Sequence, residues 1–264
     1  MLDPVDSWQS GNSYDRFMGR WSRLVAQEFL QWLPVPEHGR WLDVGCGTGA
    51  LSSLVLDLKR PKQILAVDAS PEFITFARST NEDARLRFET ATAESLPAEP
   101  GSFDAVISGL ALNFMAQPGQ AVAEMKRVTK PGGIVAAYLW DYAQGMQMLR
   151  YFWDAVTALD GSAAALDEGL RFPLCREGEL ERLFRESGLA DVRFKAIEVP
   201  TVFADFEDYW QPFLGGVGPA PGYILSLDTA EREALKERLR STLPQSDDGT
   251  ISLKARAWAV QGIV

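Results

Sequence analysis

Four short apolar runs, separated by helical segments between residues 40 and 140, restrict the fold more than any other feature of the sequence. The runs are WLDV at 41–44, ILAV at 64–67, FDAVIS at 103–108 and GIVAAYLW at 133–140. Such strands are expected where helices cover both faces of a sheet. Ser70, followed by Pro71 and Glu72, is a typical start for one of the intervening helices. The alternation predicts an α/β fold with a parallel sheet and right-handed crossovers.

The segments on either side of this region follow other patterns. Residues 20–33 carry apolar side chains at helical spacing, and Pro34 ends that helix. Beyond residue 141 the chain is mainly helical, apart from two stretches that alternate apolar and polar residues, 191–199 and 251–260. Alternation of this kind predicts two half-exposed strands late in the chain.

The composition excludes several classes of partner. The 264 residues include 26 Lys and Arg against 36 Asp and Glu, a formal net charge of -10. Proteins bind nucleic acids and acidic membranes mainly through Lys and Arg, so we expect neither as a partner. Cys46 and Cys175 stand far apart without Cys or His neighbours, and we predict no disulfide and no metal site. No apolar run approaches the ~18 residues of a membrane span, and a signal peptide is not evident, so we expect a cytoplasmic protein.

A glycine-rich loop, DVGCGTG at 43–49, ends the first apolar run and opens a helix. Glycine lets a ligand approach the backbone closely, and free N–H groups at a helix N-terminus stabilise a carboxylate or phosphate. Asp68 follows at the end of the next apolar run, where its carboxylate can accept hydrogen bonds from the hydroxyls of a ribose. Together these residues predict a nucleoside site, although a tight turn alone also explains such glycines.

The spacing leaves the identity of the nucleotide open. Gly45, Gly47 and Ala50 also satisfy the G-x-G-x-x-G/A pattern of dinucleotide-binding loops, and Asp68 lies near the spacing required for NAD. An NAD-linked oxidoreductase is therefore one interpretation of these residues.

Residues 40–140 resemble the class I S-adenosylmethionine-dependent methyltransferases. WLDVGCGTG is similar to the first motif of that family, and AVDAS to its second. ATAESLPAEPGSFDAVIS at 91–108 is similar to its adenine-side segment and fourth strand, and RVTKPGGIVAAY at 127–138 to the turn into its fifth strand. Within the family, ISGLALN at 107–113 is most like the ubiquinone and menaquinone C-methyltransferase group. The upstream YDRFMGRW at 14–21 is similar to an element that folds over the cofactor.

The resemblance implies the fold, the cofactor and the reaction. The implied fold is a Rossmann-like, seven-stranded, mostly parallel sheet with helices on both faces, an antiparallel last strand and helical caps at both ends of the chain. The implied cofactor is S-adenosylmethionine, released as S-adenosylhomocysteine. We predict an N-terminal helical cap at 1–39, a cofactor-binding core at 40–140, and substrate-side helices and completing strands of the same domain at 141–264.

The resemblance also implies which residues contact the cofactor. The glycine loop would contact the amino-acid end of the cofactor, and the second motif would contact the ribose. The adenine-side segment would surround the base, and the end of the fourth strand would lie beside the methyl group. Two N-terminal residues would close over the methionine carboxylate. In chain order these residues are Tyr14, Arg20, Gly45, Gly47, Thr48, Asp68, Ala69, Thr92, Ala93 and Ser108. Relatives usually have Asp at the position of Thr92, which offers a hydroxyl to the adenine but no charge.

Two residues are candidates for orienting or deprotonating the methyl acceptor. A sulfonium methyl is already activated, so orientation of the nucleophile is the main catalytic requirement. Asn113 and Asp141 follow strand ends on the edge where ligands bind in open α/β sheets. Asn113 is either an acceptor-orienting amide or a turn residue, and Asp141 is either a base or a helix cap. His38, the single histidine, precedes the first strand and is expected on the opposite edge.

The sequence thus predicts a methyltransferase that acts on oxygen, nitrogen or carbon of a small organic acceptor. Two alternatives stay open, the NAD-linked oxidoreductase and a non-catalytic module that binds S-adenosylmethionine without turnover.

Overall fold

The structure, a computed structural model, describes residues 19–35, 37–215 and 218–264. Its strands are β1 (Arg40–Val44), β2 (Gln63–Asp68), β3 (Leu86–Thr90), β4 (Phe103–Gly109), β5 (Thr129–Trp140), β6 (Ala190–Phe203) and β7 (Ile251–Ile263). Its α-helices are α1 (Arg20–Trp32), α2 (Ala50–Lys59), α3 (Pro71–Thr80), α4 (Pro118–Val128), α5 (Gln147–Leu159), α6 (Glu168–Arg171), α7 (Glu179–Glu186), α8 (Phe206–Trp210), α9 (Pro219–Ser226) and α10 (Thr229–Thr242). The four apolar runs of the sequence therefore correspond to β1, β2, β4 and β5.

The strands form one seven-stranded sheet in the order β3-β2-β1-β4-β5-β7-β6. The pairs from β3 to β5 are parallel. Strand β7 is antiparallel to β5, because Gly132 N–H donates to the carbonyl of Val264 (2.8 Å) whereas Asp141 N–H donates to that of Arg256 (2.9 Å). The sequence prediction of a mostly parallel Rossmann-like sheet with an antiparallel last strand is confirmed.

The chain divides into two compact units. The first, called the sheet unit, consists of Arg23–Leu139, Glu177–Ile197 and Ala257–Val264. The second, called the helical unit, includes Trp140–Arg176 and Glu198–Arg256, together with residues 19–22. Most of the boundaries fall within elements, since α1, β5, β6 and β7 each contribute residues to both units. The three consecutive parts inferred from the sequence stay a prediction.

Helix α3 begins in the sheet unit where the sequence predicted. Ser70 Oγ accepts a hydrogen bond from Phe73 N–H (3.2 Å), which satisfies one free donor of the first turn. Ile74 and Ala77 on the inner face of α3 are buried in one cluster with Phe88 of β3. Burial of a side chain as large as that of Ile74 contributes about 2 kcal/mol. Cap and core together fix the N-terminus of α3 beside the end of β2.

The helical unit has an aromatic core. Phe152 of α5 stacks on Phe213 with ring centroids 4.7 Å apart. Tyr209 is fully buried, and its hydroxyl donates to the carbonyl of Met148 at 2.9 Å. Phe203, an edge-to-face neighbour of Tyr209, is buried as well. These rings hold the short helices of this unit against α5.

Glu168 is a buried carboxylate in the helical unit. Trp153 Nε1–H donates to its Oε2, and Arg150 forms an ion pair with the neighbouring Asp167. Burial raises the pKa of Glu168 to about 7, and the hydrogen bond from Trp153 opposes the shift. The folded protein therefore keeps a proton on Glu168 that an exposed glutamate loses.

We expect Glu168 to make the protein less stable as pH rises. The unfolded chain releases this proton near pH 4.5, whereas the folded protein keeps it up to about pH 7. The folded state binds more protons between these values, so the free energy of unfolding falls there and levels off above them. Between about pH 5 and about pH 8, the free energy of unfolding measured with denaturant should fall in the wild type by on the order of 3 kcal/mol more than it falls in Glu168→Gln.

The glutamine still accepts the hydrogen bond from Trp153, so the change removes only the titration. Glu177→Gln, at an exposed position, is the matched control and should retain the wild-type dependence on pH. An identical dependence in Glu168→Gln and the wild type would contradict this account.

Candidate functional site

The glycine loop joins the end of β1 to α2 within the sheet unit. The N–H groups of Gly45 and Cys46 both donate to the carbonyl of Val67, at 2.8 and 3.0 Å, which ties the loop to the end of β2. Gly45, Gly47 and Gly49 have φ angles of 74°, 53° and 83°. This left-handed conformation costs a residue with a Cβ atom about 1 kcal/mol or more, so the backbone path requires glycine.

The three glycines differ in what surrounds them. A Cβ atom on Gly45 would lie 2.5 Å from Cβ of Ala111, and one on Gly49 would lie 2.9 Å from the ring of Phe88. A Cβ atom on Gly47 would meet nothing within 4 Å. Gly45 and Gly49 are therefore packed against the protein, whereas Gly47 borders open space. Thr48, the next residue, is partly exposed on the same loop.

Asp68 connects the loop to the helix that follows β2. Its Oδ2 accepts a hydrogen bond from Gly47 N–H and its Oδ1 one from Ser70 N–H, both at 2.9 Å. Burial raises the pKa of Asp68, and these two backbone hydrogen bonds oppose the shift. A carboxylate has about four acceptor positions, so each oxygen can accept a second hydrogen bond from a ligand.

Asp43 is a functional candidate that sequence reasoning missed. Its side chain is buried, and its Oδ2 accepts a hydrogen bond from Ser52 Oγ at 2.6 Å. Its Oδ1 has no hydrogen-bond partner among the described residues. Burial, with a smaller contribution from the charge of Asp68, raises the pKa of Asp43 to about 7. A carboxylate at the end of an apolar strand, directly before the glycines, was the signal available in the sequence.

The predicted adenine-side residues lie next to the end of β2. Ala91 N–H donates to the carbonyl of Asp68 at 3.0 Å, which places the start of this segment against β2. Thr92 and Ala69 are exposed, and Ala93 is buried. The structure thus brings these residues to the same edge of the sheet as the glycine loop.

The end of β4 carries the remaining candidates of the sheet unit. Ser108 is buried, and its Oγ has no hydrogen-bond partner within the described ranges. Asn113 lies in a 3₁₀ turn, Leu112–Phe114, and its buried Nδ2 is also without a partner there. Ala111 leaves no room for a Cβ atom on Gly45, so this segment packs directly on the glycine loop.

Arg20 and Asp141 belong to the helical unit and are engaged within it. Arg20 forms an ion pair with Asp208 at 3.2 Å. Asp141 is buried, accepts a hydrogen bond from Gln144 N–H at 3.0 Å and pairs with Arg256 at 3.3 Å. These bonds favour the turn-capping role of Asp141 over that of a base.

Tyr14 and His38 are the remaining residues that the sequence analysis discussed. Tyr14 lies outside the residues that the structure describes. His38 lies before β1, and its backbone N–H donates to the carbonyl of Arg60, just after α2. His38 is therefore at the opposite end of β1 from the glycine loop.

Two other features are absent from the described part of the chain. No group of three or more His, Cys, Asp or Glu side chains there is arranged to hold a metal ion. None of the helices in these ranges combines the length and the apolar character needed to cross a bilayer.

Comparison with known proteins agrees with the geometry. Residues 42–137 match the family described as "Methyltransferase domain". The ubiquinone biosynthesis O-methyltransferase of Burkholderia pseudomallei (strain 1710b) is 31% identical over 179 residues, which cover 64% of this chain and 73% of that protein. The malonyl-[acyl-carrier protein] O-methyltransferase of Pectobacterium atrosepticum is 30% identical, with 48% of this chain and 49% of that protein covered. The chain spans about half the length of several of the curated relatives that it matches.

A solved structure shows the same fold. The structure of geranyl diphosphate methyltransferase in complex with SAM superposes with a TM-score of 0.54 at 16% identity, covering 98% of this chain and 94% of that one. The family match decides between the two nucleotides that the glycine loop and Asp68 left open, and the family resemblance seen in the sequence is confirmed. The chain belongs to the class I S-adenosylmethionine-dependent methyltransferases.

Proposed function

We propose that the protein transfers a methyl group from S-adenosylmethionine to a small organic acceptor. The observation that carries the proposal is the arrangement at the carboxyl ends of β1 and β2. There an open glycine loop, a carboxylate bonded to that loop, and a buried carboxylate with one oxygen that no described residue bonds lie within one segment of the sheet unit. Ligands bind at this edge in open α/β sheets.

The residues at this edge fit the chemistry of the cofactor. Open space beside Gly47 leaves room for the amino-acid end, and Asp68 retains acceptor positions for ribose hydroxyls. Asp43 Oδ1, which no described residue bonds, can accept a hydrogen bond from an ammonium group. We propose as cofactor-binding residues Asp43 and those inferred from the sequence, namely Tyr14, Arg20, Gly45, Gly47, Thr48, Asp68, Ala69, Thr92, Ala93 and Ser108.

Catalysis would depend mainly on position. When bound, the cofactor supplies a methyl group on a sulfonium, whose leaving group is a neutral thioether. The chain then has to hold an acceptor in line behind that carbon and keep water out. Asn113 is proposed to orient the acceptor. The bonds of Asp141 to Arg256 and Gln144 leave the turn-capping role as the better supported one.

The proposal includes a small-molecule partner and a cytoplasmic location. Two relatives are named as O-methyltransferases of ubiquinone biosynthesis and of a malonyl-[acyl-carrier protein], which supports an acceptor outside the nucleic acids. The formal net charge of -10 supports the same choice. Cys46 and Cys175 are both free and buried, which fits a reducing compartment.

Asp68→Asn should weaken binding of S-adenosylmethionine while the fold is kept. The amide has nearly the same size and retains one acceptor for the backbone, but it loses the charge that strengthens hydrogen bonds from the ribose. We expect the dissociation constant to rise roughly ten- to a hundredfold in isothermal titration calorimetry.

Asp57→Asn is the matched control, because Asp57 is exposed on α2, and its affinity should equal that of the wild type. Equal affinities of Asp68→Asn and the wild type would show that the ribose lies elsewhere. Wild-type binding of NADH in place of S-adenosylmethionine would refute the proposed function. Methylation of any acceptor in a metabolite panel would exclude the non-catalytic module.

Binding of S-adenosylmethionine should also depend on the ionisation of Asp43. Since burial raises the pKa of Asp43 to about 7, its carboxylate is largely protonated in mildly acidic solution and attracts an ammonium group only weakly. We expect the wild-type affinity to increase roughly tenfold between about pH 5.5 and about pH 7. Asp43→Asn, which still accepts a hydrogen bond from Ser52, should show a much smaller increase. Parallel curves for the two proteins would exclude Asp43 from the site.

A further inference from the structure

The end of β4 and the turn after it present two hydrogen-bond donors that no described residue uses. Ser108 Oγ and Asn113 Nδ2 are buried, and neither has a partner among the described residues. A buried polar atom without a partner costs roughly 1–3 kcal/mol, so two of them within six residues are an unfavourable arrangement for stability alone. Both atoms lie near the end of β4, at the edge of the sheet where ligands bind in open α/β sheets, and a ligand there would supply the missing bonds.

The backbone of the same segment is strained. Leu110 has a φ of 58°, a left-handed conformation that is uncommon for a residue with a branched side chain. It is held there by a hydrogen bond from its N–H to the carbonyl of Tyr138, at 2.8 Å. Residues in this conformation cost about 1–3 kcal/mol and concentrate at ligand sites. The strain lies between Ser108 and Asn113, on the segment that packs against the glycine loop at Gly45.

The segment has no group that can remove a proton from an acceptor. Its sequence from Ser108 to Met115, SGLALNFM, contains no Asp, Glu, His, Lys or Cys. The hydroxyl of Tyr138 lies against Gly109: a Cβ atom on Gly109 would be 2.7 Å from the hydroxyl oxygen. A phenol is ordinarily protonated at neutral pH and therefore acts as a donor.

From these observations we infer that the methyl acceptor presents an oxygen anion, a carboxylate or an acidic enol, which Asn113 Nδ2 and Ser108 Oγ bind through hydrogen bonds. The inference rests on the proposed function and names its class of substrate. An oxygen anion accepts hydrogen bonds from both groups, and charge-assisted bonds of this kind are about twice as strong as neutral ones. An ammonium group brings only donors, which leaves Asn113 Nδ2 without a partner.

The proposed reaction needs no base. A lone pair of the oxygen anion forms the new C–O bond, and the electron pair of the broken S–CH₃ bond passes to sulfur. The products are a methyl ester or enol ether and neutral S-adenosylhomocysteine, and no proton is released. An ammonium acceptor would first have to lose a proton to a base, which the residues from 108 to 115 do not supply.

The test compares oxygen acids with amines of the same carbon skeleton. The full chain, loaded with S-adenosylhomocysteine, is screened by saturation-transfer NMR against a panel of small carboxylic acids, acidic enols and the matching amines. Compounds that bind are then incubated with S-adenosylmethionine, and the products are identified by mass spectrometry. We expect binding and O-methylation in the acid and enol series, and no N-methylation of the matching amines.

Variants then test the two donors. Asn113→Ala should lower kcat/KM for the best oxygen acceptor by roughly ten- to a hundredfold, and Asn113→Asp by more, because its charge repels the anion. Ser108→Ala should show a smaller loss. Thr201→Val is the matched control, because Thr201 Oγ1 is also buried without a partner in the described ranges but belongs to the helical unit. Its kinetics should be unchanged.

Three results would overturn the inference. These are methylation of amines alone, binding of no member of the oxygen panel, and an Asn113→Ala variant that loses affinity for S-adenosylmethionine to the same extent as turnover. The last result would place Asn113 in the cofactor site. Failure of the proposed function is distinguishable, since the wild type would then bind no S-adenosylmethionine in calorimetry.

Discussion

The carboxylate of Asp68 is the interaction on which the rest of the candidate site depends. One of its oxygens accepts from the glycine loop at Gly47, and the other accepts from Ser70 at the start of α3. The bond from Gly47 ties the loop after β1 to the end of β2, and the bond from Ser70 fixes the turn into α3. Both bonds offset part of the cost of burying the charge. The same carboxylate that would bind a ribose therefore also shapes the loop that would bind the amino-acid end.

Much of the fold could be predicted because its signals are local. The apolar runs at 41–44 and 64–67 became central parallel strands, and Ser70 caps α3 as its residue type suggested. Alternation in 191–199 and 251–260 likewise predicted β6 and β7, although both strands extend further than the pattern. Local spacing could not show that β6 and β7 contribute to two compact units, because that division depends on contacts between distant segments.

The candidate site was predictable in outline and less so in detail. The turn from β1 into the next helix requires glycines, and an acidic residue at the end of β2 can bind a ribose. Their combination at this spacing therefore indicates a nucleoside loop. The engagement of Arg20 by Asp208, 188 residues away, and of Asp141 by Arg256, 115 residues away, leaves no local trace in the sequence. The oxygen of Asp43 and the two donors near the end of β4 lack partners among the described residues because they are buried, which only the folded chain reveals.

A crystal structure of the protein with S-adenosylhomocysteine would test the central claim most directly. The account predicts that the ribose hydroxyls lie within hydrogen-bond distance of Asp68 and that the amino-acid end lies over the open side of Gly47, near Oδ1 of Asp43. A complex in which this compound binds away from β1 and β2, or in which only a dinucleotide occupies the loop, would contradict it.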